Sequence, residues 1–371
     1  MAEWIVIIGF VQALFGILIF ISKRPRHLCF TFLTIWLSII AVFLGAQLLP
    51  FEVVNYFKPG IFPLIFLFGP LLYFYVSSLT IEDFKLKLNH FWHIIPLILI
   101  SIHRSTINAV SVSSSSILTE NPPFIYNKIY FILLIISTFI YWIFSVKLIL
   151  IHRKNIPFYF SNYTSKNTLN WLIFVVLIFL LFFVAQLFVS SFEKVFDTNI
   201  IKFPILFTNL TIFTFIMVFF GINQSVIYNS KKQNREKIIG NTEAKYSNSA
   251  LNKKQIEVLN NTVFSYLKSK KPFLNPEYSL QMMAEDLSIS RQKLSQTFNI
   301  GKQKNFYKII NEFRIEEVKQ MINNPDFNHF SVLGIAFECG FNSKTSFNRI
   351  FKEETGHTPT SYKKSESILI T

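Results

Sequence analysis

Two short stretches concentrate side chains that donate hydrogen bonds. The first holds Arg291, Gln292, Lys293 and Gln296; the second holds Ser343, Lys344, Thr345, Asn348 and Arg349. Arg, Lys, Gln and Asn suit the edges of nucleic-acid bases, and Ser and Thr serve bases or backbone. Lys302, Lys304, Lys352, Lys363 and Lys364 lie nearby in sequence and suit phosphate oxygens. No grouping of this kind points to catalysis. His90, His93 and His103 cluster in sequence, but metal ligation would need a fourth group and convergent geometry. Interfacial packing is the plainer reading of them. Cys29 and Cys339 read as buried packing residues. The expectation is a non-enzyme with no cofactor and no metal.

What positions the two donor stretches is a repeated pattern. Ala284 is followed at +5 by Ile289, then by Leu294 and Phe298; Ala336 is followed at +5 by Phe341, then by Phe347 and Phe351. Leu280 precedes the first alanine by four residues, and Val332 precedes the second by four. Each copy predicts a short helix, a tight turn and a second helix. The small alanine lets the helices cross closely, and Ile289 or Phe341 plugs the gap. Ser290 is a good N-cap, with Ile289 and Leu294 at the staple positions. Gly340 sits in the second turn, where positive φ is commonly needed. These are two helix-turn-helix units. Between them, Asn305–Asn323 carries Phe306, Ile309, Ile310, Phe313, Val318, Met321 and Ile322 on one face, and Pro325 closes it. Such a helix runs ~28 Å, a connector able to set two recognition helices about one DNA turn, ~34 Å, apart. Upstream, Ile256, Leu259, Val263 and Leu267 predict an amphipathic helix over Leu251–Leu267.

With these residues in view, the segment from about Ser279 to Tyr362 resembles the AraC/XylS DNA-binding domain of bacterial transcription regulators. The carriers are Ser279-Leu280 through Leu287, Ser290-Arg291 through Phe298, Asn311-Glu-Phe-Arg314, and Ile335-Ala336 through Phe341. The most specific stretch runs from Ser346-Phe347 through Gly356-His-Thr358-Pro359 to Tyr362. The match covers under a quarter of the chain. It implies that the second helix of each unit reads DNA and that Arg314 bridges the subdomains. One departure stands out: the family commonly has Gly five residues past the first phenylalanine, and here that position is Gln303. The turn into the connector is therefore in question.

The remaining sequence belongs to another physical regime. The chain has 371 residues, 44 of them Phe, and only 15% are charged, against ~25% in soluble proteins. Residues 1–224 hold 14 Lys/Arg, leaving 36 − 14 = 22 for the shorter C-terminal part; Asp/Glu divide 7 and 21 − 7 = 14. Apolar runs of about 20 residues can cross a bilayer as helices. Six are clear: Trp4–Ile21, Leu28–Leu49, Ile61–Leu79, Ile129–Ile151, Leu169–Ser190 and Phe203–Ile222. A weaker seventh lies between Phe91 and about Val110. Lys23, Arg24 and Arg26 trail the first run, which predicts an external N-terminus. The basic cluster Lys231, Lys232, Arg235, Lys237 after the last run predicts a cytoplasmic C-terminal part. Those two ends require an odd number of crossings, hence seven. Gln12, Gln47, Gln186 and Asn209 within the runs read as interhelical hydrogen bonding rather than a ligand cavity. Gly69-Pro70 and Pro96 read as kinks or helix ends.

The expected fold is all-α: a seven-transmembrane-helix domain over 1–224 and a polar linker over 225–250. An amphipathic helix with a Pro-containing segment covers 251–278. The double helix-turn-helix domain covers 279–364, and a tail 365–371. The expected function is a membrane-tethered, sequence-specific transcription regulator in the bacterial cytoplasmic membrane. Its partners would be double-stranded promoter DNA, the lipid bilayer, a second copy as a homodimer, and a small-molecule, lipid or protein signal. The alternative is a transporter or receptor with a regulatory DNA-binding C-terminal domain, but the spans hold no carboxylate relay of the kind pumps use. A sensor histidine kinase would need a Gly-rich ATP lid, which the sequence lacks.

Overall fold

The structure is a computed structural model that describes residues 2–50, 61–82, 84–106, 125–196, 202–224, 252–301 and 303–369. Among these there is no strand, and one isolated bridge pairs Phe160 with Ser279. The chain divides into two units: Met1–His152 with Leu169–Asn234, and Arg153–Thr168 with Arg235–Thr371.

The first unit is built from the apolar runs. An apolar run shielded from water must satisfy its backbone internally, and a helix does so within one segment. Its helices are α1 (Ala2–Ser22), α2 (Leu28–Ala46), α3 (Phe68–Thr80), α4 (Ile95–Thr106), α5 (Ile125–Tyr159) as far as His152, α7 (Asn170–Phe196) and α8 (Lys202–Asn223); the last turns of α5 and a four-residue helix, α6 (Ser165–Thr168), belong to the second unit. Six helical stretches among the described residues are long and apolar enough to cross a membrane, and each overlaps one of the six clear runs. The weaker seventh run differs. It opens as a 3-10 helix, Leu88–Ile94, and continues as the 12-residue α4; its end at Val110 lies outside the described residues. A 3-10 helix, Phe62–Leu67, likewise precedes α3. Pro70 and Pro96 fall in the first turns of α3 and α4, where a missing N–H costs nothing.

Trp36 of α2 centres this unit's core, its ring 5.4 Å from Phe213, 5.7 Å from Phe179 and 6.1 Å from Phe68. Gly9 and Gly16 let α1 approach α8: a Cβ there would meet Thr211 and Val218 at 2.2 and 2.6 Å. Close approach through small residues is how helices associate where lipid supplies no hydrophobic drive. Outward, Leu18, Ile132, Leu181, Phe188 and Phe219 are exposed. The histidines are placed among aromatic rings. His93 Nδ1 is hydrogen-bonded to the Tyr141 hydroxyl, His103 Nδ1 to that of Tyr130, and His90 Nδ1 accepts from the Lys87 N–H. Among the described residues no group of three His, Cys, Asp or Glu is placed to hold a metal.

The second unit contains α9 (Lys253–Lys270), α10 (Leu280–Leu287), α11 (Arg291–Gly301), α12 (Phe306–Ile322), α13 (Val332–Glu338), α14 (Lys344–Thr355) and α15 (Pro359–Leu369). Two clusters form its core. One joins Val263, Leu267, Leu280, Ala284, Leu294, Phe298, Phe306 and Ile310; the other joins Ile315, Val318, Ile322, Ala336, Phe341, Phe347 and Phe351. The connector α12 feeds both, its first half the one and its second half the other. Of the four apolar positions expected on α9, Ile256, Val263 and Leu267 are buried. Helix α15 runs on through Ser365 to Leu369, so the expected tail is mostly helix. The polar linker expected over 225–250 lies outside the described residues.

Candidate nucleic-acid interface

The two helix-turn-helix units are closed by the same backbone bond. The Ile289 N–H donates to the Ala284 carbonyl at 3.0 Å, and the Phe341 N–H to the Ala336 carbonyl at 3.1 Å. The five-residue step in the sequence is this turn. Each first helix starts on a serine cap: Ser279 Oγ accepts from the Met282 N–H, and Ser331 Oγ from the Gly334 N–H. Each second helix does too, with Ser290 Oγ accepting from the Lys293 N–H and Ser343 Oγ from the Ser346 N–H, both at 3.4 Å. Ser343 is thus a cap at the edge of the donor surface.

The turns reach positive φ by different means. Ser288 takes φ +53° in the first, Gly340 φ +89° in the second. At Gly340 space is also closed, since a Cβ would lie 2.5 Å from the Phe273 carbonyl oxygen and 2.8 Å from that of Leu274. Gly340→Ala is expected to destabilise the unit by roughly 3 kcal/mol, from backbone strain plus the clash. Hydrogen exchange across α13 and α14 of the full chain would show it as lost protection; unchanged protection would contradict it.

The turn into the connector, in question from the sequence, keeps a left-handed residue without glycine: Gln303 has φ +52°. Asn305 then caps α12, its Oδ1 accepting from the Lys308 N–H at 2.9 Å. A non-glycine residue here is strained by ~1 kcal/mol, part of which glycine's greater unfolded freedom takes back. Gln303→Gly is therefore expected to stabilise the unit slightly, by about 0.5 kcal/mol; a drop in exchange protection around α11 and α12 would refute this.

The donor residues are not equally free. On α11, Gln292 and Lys293 are exposed, while Arg291 and Gln296 are half-buried, and burial holds the Arg291 guanidinium below its ordinary value. On α14, Lys344, Thr345, Asn348 and Arg349 are exposed. Arg349 is already engaged: one terminal nitrogen donates to Glu353 Oε1 and Oε2 at 2.7 and 2.9 Å, the other to the Tyr307 hydroxyl at 3.1 Å. Of the phosphate candidates, Lys304 pairs with Glu312 at 2.6 Å; Lys352 and Lys364 are exposed and Lys363 is half-buried. Lys302 lies outside the described residues. Against α11 packs α9: a Cβ on Gly301 would meet Asn260 and Ile256.

Arg314 is fully buried in α12. Its Nε donates to the Phe273 carbonyl at 2.7 Å, one terminal nitrogen to the Ser161 carbonyl at 3.1 Å, and the other to Ser161 Oγ at 3.0 Å and the Asn275 carbonyl at 2.9 Å. Burial pulls this guanidinium down to about 9, so it stays charged at neutral pH. Cys339 is buried against Met321, with its thiol pushed up to about 12 by burial; it is a packing residue. Sequence reasoning missed Ser161, Asn162, Tyr163 and Tyr307. They lie in a loop between apolar runs or beside the apolar stripe of α12, where no periodicity marks them.

Two equal helix-turn-helix units on a shared connecting helix define a DNA-binding class of fold. Residues 283–365 match the family described as "Helix-turn-helix domain". The C-terminal unit therefore carries an AraC-type helix-turn-helix domain, behind a unit of several apolar helices. Among curated proteins, the chain is 30% identical over 91 residues to an uncharacterized HTH-type transcriptional regulator in the cgkA 5′ region of Pseudoalteromonas carrageenovora. That stretch is 24% of this chain and 52% of the relative, so the chain spans about half of the relative it matches. No solved structure matches the chain.

Proposed function

We propose that the chain is a membrane-tethered, sequence-specific transcription regulator. The observation that carries this reading is the pair of helix-turn-helix turns, closed by the same backbone bond, on one 17-residue connector, joined in one chain to six helices long and apolar enough to cross a bilayer. Positive charge after the first run supports an external N-terminus and a cytoplasmic C-terminal unit. The relative's description as a transcriptional regulator supports the same reading. A single domain binds weakly against genomic competition, and pairing two copies raises the effective concentration for a second half-site. The regulator would therefore act as a homodimer. A small-molecule, lipid or protein signal received by the apolar helices would bias it through unequal affinity for two arrangements.

In this reading Arg291, Gln292, Lys293 and Gln296, with Lys344, Thr345, Asn348 and Arg349, face base edges, while Ser343 sits at the rim. Lys302, Lys304, Lys352, Lys363 and Lys364 hold phosphates. Arg349 leaves Glu353 when it meets a base, since an exposed ion pair is worth under ~1 kcal/mol. The test is genome-wide occupancy of the full-length protein, wild type against Arg291→Ala and Arg349→Ala. Each substitution should cost about 1–3 kcal/mol at cognate sites and relax preference at particular base pairs. Occupancy indistinguishable from background in the wild type would end the proposal. An unchanged motif in both variants would displace the recognition helices from this role.

A further inference from the structure

Sixteen residues of the C-terminal unit, Arg153–Thr168, come from the middle of the apolar half of the sequence. They run from the last turns of α5 to the start of α7. Their centre is buried within the unit: Ser161 and Asn162 are 1% and 5% exposed, while Phe158 and Tyr163 beside them are exposed. Phe160 bridges Ser279, the cap of α10. The Ser161 hydroxyl donates to the Tyr278 carbonyl and accepts from Arg314, and the Ser161 carbonyl accepts from Arg314 and from Asn311 Nδ2. Asn162 Nδ2 donates to the Pro276 carbonyl at 2.7 Å, just before the first helix-turn-helix, and to the Gly340 carbonyl at 2.9 Å, in the turn of the second. Asn167 Nδ2 donates to the Asn162 carbonyl, Asn167 Oδ1 accepts from the Thr164 N–H, and the Asn167 N–H donates to Thr164 Oγ1. Tyr163 stacks edge-on against Tyr307 at 5.4 Å, the residue whose hydroxyl holds Arg349.

We propose that Phe160–Tyr163 is a strap seated in the seam between the two helix-turn-helix units, fixing the angle at which α11 and α14 are presented. Asn162 ties one unit to the other through a single amide, and Ser161 supplies acceptors to the buried Arg314. The strap follows α5 directly in sequence, and α6 follows it toward α7. The control this gives over duplex binding rests on the transcription-regulator reading; the seating of the strap does not.

The test uses the full chain in lipid nanodiscs and a mixed-sequence DNA duplex. Asn162→Asp keeps size and shape but replaces two donors with a carboxylate facing two carbonyl oxygens. It is expected to raise hydrogen exchange at Ser161 and around Tyr278, and to weaken duplex binding about tenfold through lost preorganisation. Independently, Tyr163→Cys with Tyr307→Cys, treated with a short bis-maleimide, should cross-link within one chain. Absence of the cross-link in protein that binds duplex would overturn the strap, and so would Asn162→Asp matching the wild type in exchange and affinity. Should the aspartate unfold the unit, the cross-link decides. Absence of duplex binding by the wild type, with the cross-link formed, would refute the regulator reading and the strap's control of binding together.

Discussion

Replacing Arg314 by alanine is expected to be the most damaging single change in the C-terminal unit. The guanidinium is fully buried and its donors serve the carbonyls of Phe273, Asn275 and Ser161 and the hydroxyl of Ser161. Each acceptor left unpaired in the interior costs ~1–3 kcal/mol. Relief of the buried charge and entry of water return part of this. The net should be on the order of 3 kcal/mol, a large share of the ~5–15 kcal/mol that holds a domain together. Arg314→Lys keeps the charge but not the planar fork, so it should restore only part of the loss. Exchange protection across α10–α14 of the full chain measures this. Equal protection in Arg314→Ala and wild type would show that these hydrogen bonds contribute little.

The second large effect is the salt dependence of duplex binding by the full chain. Five lysines on phosphates would give a slope of about −4.5 in log affinity against log salt, and four, with Lys304 kept on Glu312, about −3.6. Raising salt from about 50 to about 200 mM should then weaken binding on the order of 10²-fold. Titration in nanodiscs at several salt concentrations measures the slope. A slope near zero would mean that binding does not run through phosphate neutralisation.

The sequence was most informative where a physical period repeats. The Ala-to-hydrophobe step of five is a backbone bond in both turns, and the apolar face of Asn305–Asn323 is α12 with its Asn305 cap. The six strong apolar runs are helical over most of their length because a helix satisfies an apolar segment's backbone within itself. The run from Phe91 was ambiguous because its apolar core ends at Ile102, before His103 and Arg104; the structure passes from 3-10 to α-helix at Ile95, within that core. The donor residues could be placed on the second helices, but not their intramolecular partners. The ties of Arg349 to Tyr307 and of Lys304 to Glu312 cross between elements or turns that no local spacing relates. The strap was illegible for the same reason. Ser161 and Asn162 find partners more than 100 residues away, and a polar pair in a loop between apolar runs reads as an ordinary loop.

Two recognition helices, held at a fixed spacing, would read two stretches of one duplex. Selection of bound sites from a random duplex pool by the full-length chain in nanodiscs tests this most directly. The expected outcome is an enriched bipartite motif whose halves are centred about one helical turn, roughly 10 base pairs, apart. A pool that shows no enrichment, or a single unpaired half-site unaffected by Arg349→Ala, would contradict it.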